Sequence, residues 1–175
     1  MNITNNGRQL ETVPIFERHA PDDTWIVRSV KIPAHISDFA AKVRKADIRP
    51  RLDRPVMLHI YTDLIKYGLS VADEIVFSSC HREIEGESAI LSLPPDLFTE
   101  IETIVTEIAD GERAKSGPLK VKKVDVIATL MQVGFDLVSE EVLSAIAAQP
   151  GINTEKAKPG RPKLPDGEKG KYSRN

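Results

Sequence analysis

The stretch WIVRSVKIPAHISDFAAKV, Trp25 to Val43, alternates like a strand and then stops. Val30 and Ile32 fall on one face, and Ser29 and Lys31 on the other. Pro33 ends the ladder because it has no N–H to donate. Beyond it, Ile36, Phe39, Ala40 and Val43 recur at helical spacing as one apolar stripe. A single short strand is not stable alone, so this one needs a partner.

The same pattern returns in ESAILSLPPDLFTEIETIV, Glu87 to Val105. Ala89, Leu91 and Leu93 alternate with Ser88, Ile90 and Ser92 before Pro94 and Pro95. Leu97, Ile101, Ile104, Val105 and Ile108 then continue as a helical stripe. A shift of 61 residues lays Val30 over Leu91, Ile32 over Leu93 and Pro33 over Pro94. Two further stretches match at a shift of 66, LHIYTDLIKYGLSVADEIVF (58–77) and VDVIATLMQVGFDLVSEEVL (124–143). Leu64 meets Leu130, Gly68 meets Gly134, Glu74 meets Glu140 and Val76 meets Val142. Agreement in order, spacing and proline stops predicts an internal duplication, with a longer loop around DGERAKSGPLK in the second unit.

Each unit is strand, helix, helix, and too small to bury its apolar faces alone. The pattern therefore predicts a mainly α fold in which the two strands pair as a short antiparallel ribbon over four helices. The predicted boundaries are an irregular arm over 1–24, a core over 25–148 and a disordered basic tail over 149–175. Within the core, unit one covers 25–79, an acidic linker 80–87 and unit two 88–148.

This arrangement resembles the ribbon-helix-helix (Arc/MetJ-like) family of DNA-binding proteins in a tandem, single-chain form, a βαα-βαα pseudo-dimer. Tandem members of that family include accessory proteins of conjugation and T-DNA transfer, such as TraY. The resemblance, which covers about 25–148, implies that the ribbon enters the major groove and that its outward side chains touch base edges. Alternation places Val27, Ser29, Lys31, Ser88, Ile90 and Ser92 outward. Lys31 suits guanine O6 or N7, the serines donate or accept, and Val27 and Ile90 suit a thymine methyl. Two apolar positions among six depart from the family's usual polar set, and leave open that the ribbon covers a protein surface instead. The resemblance also sets the start of each second helix against phosphates, where free N–H groups and the positive dipole end attract anions. Basic residues lead into both starts: Arg49, Arg51 and Arg54 before the first, and Lys120, Lys122 and Lys123 before the second. Arg28, inward by parity near the strand end, is expected to reach phosphate as well. Pro55 is expected in a first helical turn.

Composition limits the alternatives. A hydrophobic content of 41% supports a real core, and 175 residues fit one domain or two very small ones sharing that core. No apolar run approaches membrane-spanning length and no signal-peptide pattern opens the chain, so a cytoplasmic location is expected. Net charge is −2, split as −2 over 1–24, −4 over 25–148 and +4 over 149–175. Only local patches and the tail could then favour an anionic partner. In the tail, Lys158-Pro-Gly-Arg-Pro-Lys163 resembles an AT-hook, with Arg161 the minor-groove candidate; a nonspecific basic arm is the other reading.

Catalysis finds no pattern. His19, His35, His59 and His81 are scattered without metal-ligand spacing, and His35 and His59 read as solvent-facing or capping. Cys80 stands alone, which excludes an internal disulfide and argues against a cysteine-based zinc site. Glu83, Glu85 and Glu87 read as an acidic linker. No enzyme, cofactor or metal is expected. The expected partner is double-stranded DNA, with other DNA-processing or transfer proteins as further candidates. The role is that of a plasmid or mobile-element transfer accessory factor or a transcriptional repressor; a protein-interaction adaptor on the same fold is the alternative.

Overall fold

The computed structural model describes residues 16–75, 85–113 and 120–149. It is mainly helical with one small two-stranded antiparallel sheet. In order come β1 (Ile26–Ile32), α1 (Ala34–Ala46), α2 (Met57–Leu69), a 3-10 turn (Ala72–Glu74), β2 (Glu87–Leu93), α3 (Pro95–Asp110) and α4 (Lys123–Ala147). β1 pairs with β2 from Ile26↔Leu93 through Ser29↔Ile90 to Ile32↔Glu87.

The prolines act where alternation stops. Pro33 and Pro94 sit at the N-caps of α1 and α3, both in extended backbone, and Pro95 opens α3. A proline ring fixes φ near the helical value, and its missing N–H is one that a first turn cannot use anyway. α3 ends at Gly111, whose φ of 87° lies in the left-handed region and turns the chain out of the helix.

One face of the ribbon and the apolar stripes of the helices share a core. Val30, Ile32, Leu91 and Leu93 lie beneath the ribbon, buried with Ile36, Phe39, Ile60, Leu64, Ile101, Val126 and Leu130. Burying an aliphatic side chain of this size contributes about 1.5–3 kcal/mol. The ribbon is thus anchored by its inward residues, which leaves the outward ones free for other use.

α2 and α4 cross at glycines. A Cβ on Gly68 would run into the carbonyl oxygen of Leu130, and one on Gly134 into the carbonyl oxygen of Leu64. Backbone meets backbone at both points, so neither position has room for a side chain.

Two expectations change here. The match between 58–77 and 124–143 treats both as one long helix, but α2 stops at Leu69 while α4 runs on to Ala147. The Ser70 hydroxyl donates to the Tyr67 carbonyl at 2.6 Å, and Val71 (φ −121°, ψ 17°) leaves the helical region. Glu74 therefore lies in a 3-10 turn while Glu140 is helical. Pro55 is not in the first turn of α2 either. Val56 is the N-cap, and Pro55 lies buried just before it. Residues 16–24 are the described part of the segment expected as an irregular arm over 1–24, and they carry no helix or strand. Phe16 nevertheless enters the core, edge-on to Phe39 at 5.9 Å and to Tyr67 at 6.2 Å between ring centroids.

Candidate nucleic-acid interface

The outward ribbon face follows from strand parity. Val27 lies opposite Ser92, Ser29 opposite Ile90, and Lys31 opposite Ser88. All are exposed except Ser92, which is half-buried. Val27 is 55% exposed and Ile90 64%, unusual for large apolar side chains on a sheet. Among the described residues, the Lys31 ammonium has no ion-pair partner. The face thus offers one cationic donor, three hydroxyls and two apolar contacts, a set able to meet base edges or a partner surface.

Arg28, expected to reach phosphate, lies against Phe98. It is half-buried, with its guanidinium carbon 4.7 Å from the centre of the Phe98 ring and Nη1 donating to the Val27 carbonyl at 2.7 Å. A cation over an aromatic face is attracted by the ring, which fixes where this guanidinium rests.

The basic residues before α2 divide by what they already hold. Arg49 binds Asp47, Nη2 to Oδ2 at 2.6 Å and Nε to both carboxylate oxygens at 3.0 Å, and also donates from Nη2 to the Phe16 carbonyl at 2.7 Å. The Arg49 guanidinium holds the Asp47 carboxyl below the usual carboxylate range, and Asp47 in turn raises the Arg49 pKa. Arg54 donates from Nε to the Arg49 carbonyl. The exposed Arg51 side chain has no partner among the described residues; its carbonyl accepts from Arg18 at 3.3 Å.

Before α4 the cations stand freer. Lys122 is the N-cap residue, and its backbone N–H donates to Asp125 Oδ2 at 3.2 Å. The exposed Lys120 and Lys122 ammonium groups have no ion-pair partner among the described residues. Lys123 is engaged: it pairs with Glu102, and its Nζ lies 5.1 Å from the Phe98 ring centre. Arg113, also basic in this loop, binds Glu107, Asp73 Oδ1 at 2.8 Å and the Ala72 carbonyl at 2.6 Å, tying the end of α3 to the turn after α2.

One cluster escapes the pattern reading. Asp63, buried on α2, accepts the Glu17 N–H at 2.9 Å and lies 2.6 Å from His19 Nε2. His59 Nδ1, one turn earlier, accepts the His19 N–H at 3.2 Å and the Val56 N–H at 3.5 Å. Burial, then the His19 and Arg18 charges, push the His59 pKa down, against a smaller opposing pull from Asp63. The signal available in the sequence was Asp63 itself. A carboxylate between Ile60 and Leu64, on a helix with apolar residues nearly all round, needs a partner from elsewhere in the chain. Of the two histidines expected to be solvent-facing or capping, His59 caps and His35 is exposed, 2.8 Å from the Gln132 amide oxygen.

Arg161 and the tail from residue 150 on lie outside the described residues, as do Cys80, His81 and Glu83. Among those described, no group of three or more His, Cys, Asp or Glu side chains could hold a metal ion. No helix there is long and apolar enough to cross a membrane. Comparison of the chain with family models, curated proteins and solved structures found no match.

Proposed function

We propose that the chain is a tandem ribbon-helix-helix pseudo-dimer that binds double-stranded DNA sequence-specifically through its β-ribbon. The observation that carries this reading is the ribbon register. Ser29 lies opposite Ile90, its own counterpart under the shift of 61 residues. A pairing centred on equivalent residues is what a two-fold axis through the ribbon requires. The helix crossing supports the same axis independently: Gly68 abuts Leu130, and Gly134 abuts Leu64, each the other's counterpart under the shift of 66.

In this reading Lys31, Ser29, Val27, Ser88, Ile90 and Ser92 enter the major groove, with Lys31 the strongest base donor. The starts of α2 and α4 rest on phosphates flanking the ribbon. Among the described residues leading into these starts, Arg51, Lys120 and Lys122 are the cations free to neutralise them. The six facing residues differ between the two strands, so the preferred site is asymmetric. A cytoplasmic role as a transfer accessory factor on a plasmid or mobile element, or as a repressor, uses the same contacts.

Recovery and sequencing of DNA fragments retained by the protein tests this reading. A recurrent asymmetric site, bound with an affinity that falls as salt rises, is the expected result. Retention of random fragments only, or none, would sink it. The exposure of Val27 and Ile90 favours one second reading, a protein-interaction adaptor on the same fold. Its mark is binding to a protein partner that survives high salt and is lost in Val27→Ser with Ile90→Ser.

A further inference from the structure

The cluster of His19, His59 and Asp63 has no part in the ribbon contacts, yet it holds residues 16–19 against α2. Three backbone-directed bonds close it: Glu17 N–H to Asp63, His19 N–H to His59 Nδ1, and the Phe16 carbonyl to Arg49. His59 Nδ1 faces two N–H donors, from His19 and Val56. It serves both only while that nitrogen carries a lone pair. We propose that His59 is a proton-operated latch: neutral, it holds the N-terminal arm on α2, and protonated, it releases the arm and loosens the start of that helix.

The chemistry is a single protonation. A proton added at Nδ1 turns the acceptor into a third donor facing two others, and both bonds break. The new charge also faces the Arg18 guanidinium on the same arm, with the His19 ring centre 5.5 Å away. From α2 itself the cluster meets Asp63, whose Oδ1 is shared with Lys66 at 3.6 Å. Asp63 is already committed to Glu17, His19 and Lys66, which limits what it can offer a protonated His59. The His19–Asp63 contact does not oppose release, since His19 donates Nε2–H to the carboxylate whether its ring is neutral or charged. Release also takes the Phe16 carbonyl from Arg49, so the basic loop before α2 loses one of its fastenings.

The direction follows from linkage. A histidine whose folded pKa is depressed takes up its proton more readily once its site opens. The latch is therefore fully closed above the ordinary imidazole value of 6.5 and is lost as pH falls through the lower value of the folded state.

Backbone amide exchange followed by NMR tests the latch without any ligand. Between about pH 7.5 and about pH 5, a span that brackets the ordinary imidazole range, the Glu17 and His19 amides should lose protection beyond the intrinsic effect of pH. The ribbon amides of β1 and β2 should keep theirs. The fluorescence of Trp25, whose ring centre lies 6.1 Å from that of His19, should change with the same midpoint. In His59→Gln, an amide oxygen accepts without titrating, and glutamine at the third helical position suits a capping box. That variant should keep both amides protected down to pH 5. A wild-type arm that stays protected at low pH overturns the latch, as does an equal loss in His59→Gln. The wild-type ring titration of His59 gives a check that needs no variant: a midpoint at or above 6.5, or one that does not coincide with arm opening, also overturns it.

Discussion

The starts of α2 and α4 occupy matching places in the two repeats, yet among the described residues only the first is covered by another segment. At α2 the arm lies over the loop, Arg49 is fastened to Asp47 and Phe16, and His59 caps the helix. At α4 no arm intervenes among the described residues, Asp125 caps, and the exposed Lys120 and Lys122 ammonium groups have no ion-pair partner there. Equal counts of basic residues in sequence therefore do not make equal anion sites. An arginine already spanning a carboxylate has little left for a phosphate, whereas an unpaired lysine has its full charge to give. The proposed clamps are unequal, with the stronger at α4.

The largest expected effects probe what the two halves share. Gly68→Ala and Gly134→Ala each press a methyl group into a facing carbonyl, and each should cost about 3 kcal/mol or more, at the upper end of overpacking losses. Urea unfolding of both variants checks this. Near-equal losses fit a two-fold crossing, while one silent variant would break the comparison at its root.

Next comes the ribbon, where the strands differ most. Lys31→Ala should narrow the gap between specific and random DNA by roughly 1–3 kcal/mol if the lysine meets guanine. Competition binding against random-sequence DNA measures that gap, and an unchanged ratio would remove Lys31 as a reader.

Arg49→Ala sharpens the difference between the helix starts through stability rather than binding. It leaves Asp47 without its main partner and should cost about 1–2 kcal/mol, in line with loss of a charge-assisted bond. Because Arg49 depresses the Asp47 pKa, that part of the stability is present above the ordinary carboxylate range and fades as pH falls through the lower folded value. The stability gap between wild type and variant, read from unfolding curves over a series of pH values, should thus narrow as pH falls below the ordinary carboxylate range, leaving the share that comes from the Phe16 carbonyl bond. A pH-independent difference would mean that the ion pair is not its source.

The smallest effect is the one that ranks the clamps. Lys122→Ala should lower the slope of log affinity against log salt by about 1, while Arg49→Ala leaves that slope nearly unchanged. If the arginine lowers it more, the covered site is the working one and the ranking reverses.

Local pattern alone determined a good deal. The strand–proline–helix order of 25–43 and 87–105 is written in alternation of two and recurrence near 3.6, periodicities set by backbone geometry. So are the identities of the six outward ribbon residues, since parity leaves no choice once Ile32 and Leu93 face the core. Only tertiary structure decided which charges are spent. Whether Arg49, Arg54, Lys123 or Arg113 is free depends on carboxylates and carbonyls 2 to 41 positions away in the chain. Arg28 met Phe98, and His59 met His19, for the same reason. Periodicity reports the face on which a side chain lies, but pairing depends on distances across the fold, which no local window contains. The early end of α2 lay between these limits. Ser70 and Val71 weaken a helix locally, and the Arg113 bond to Ala72 fixes the turn that follows from across the fold.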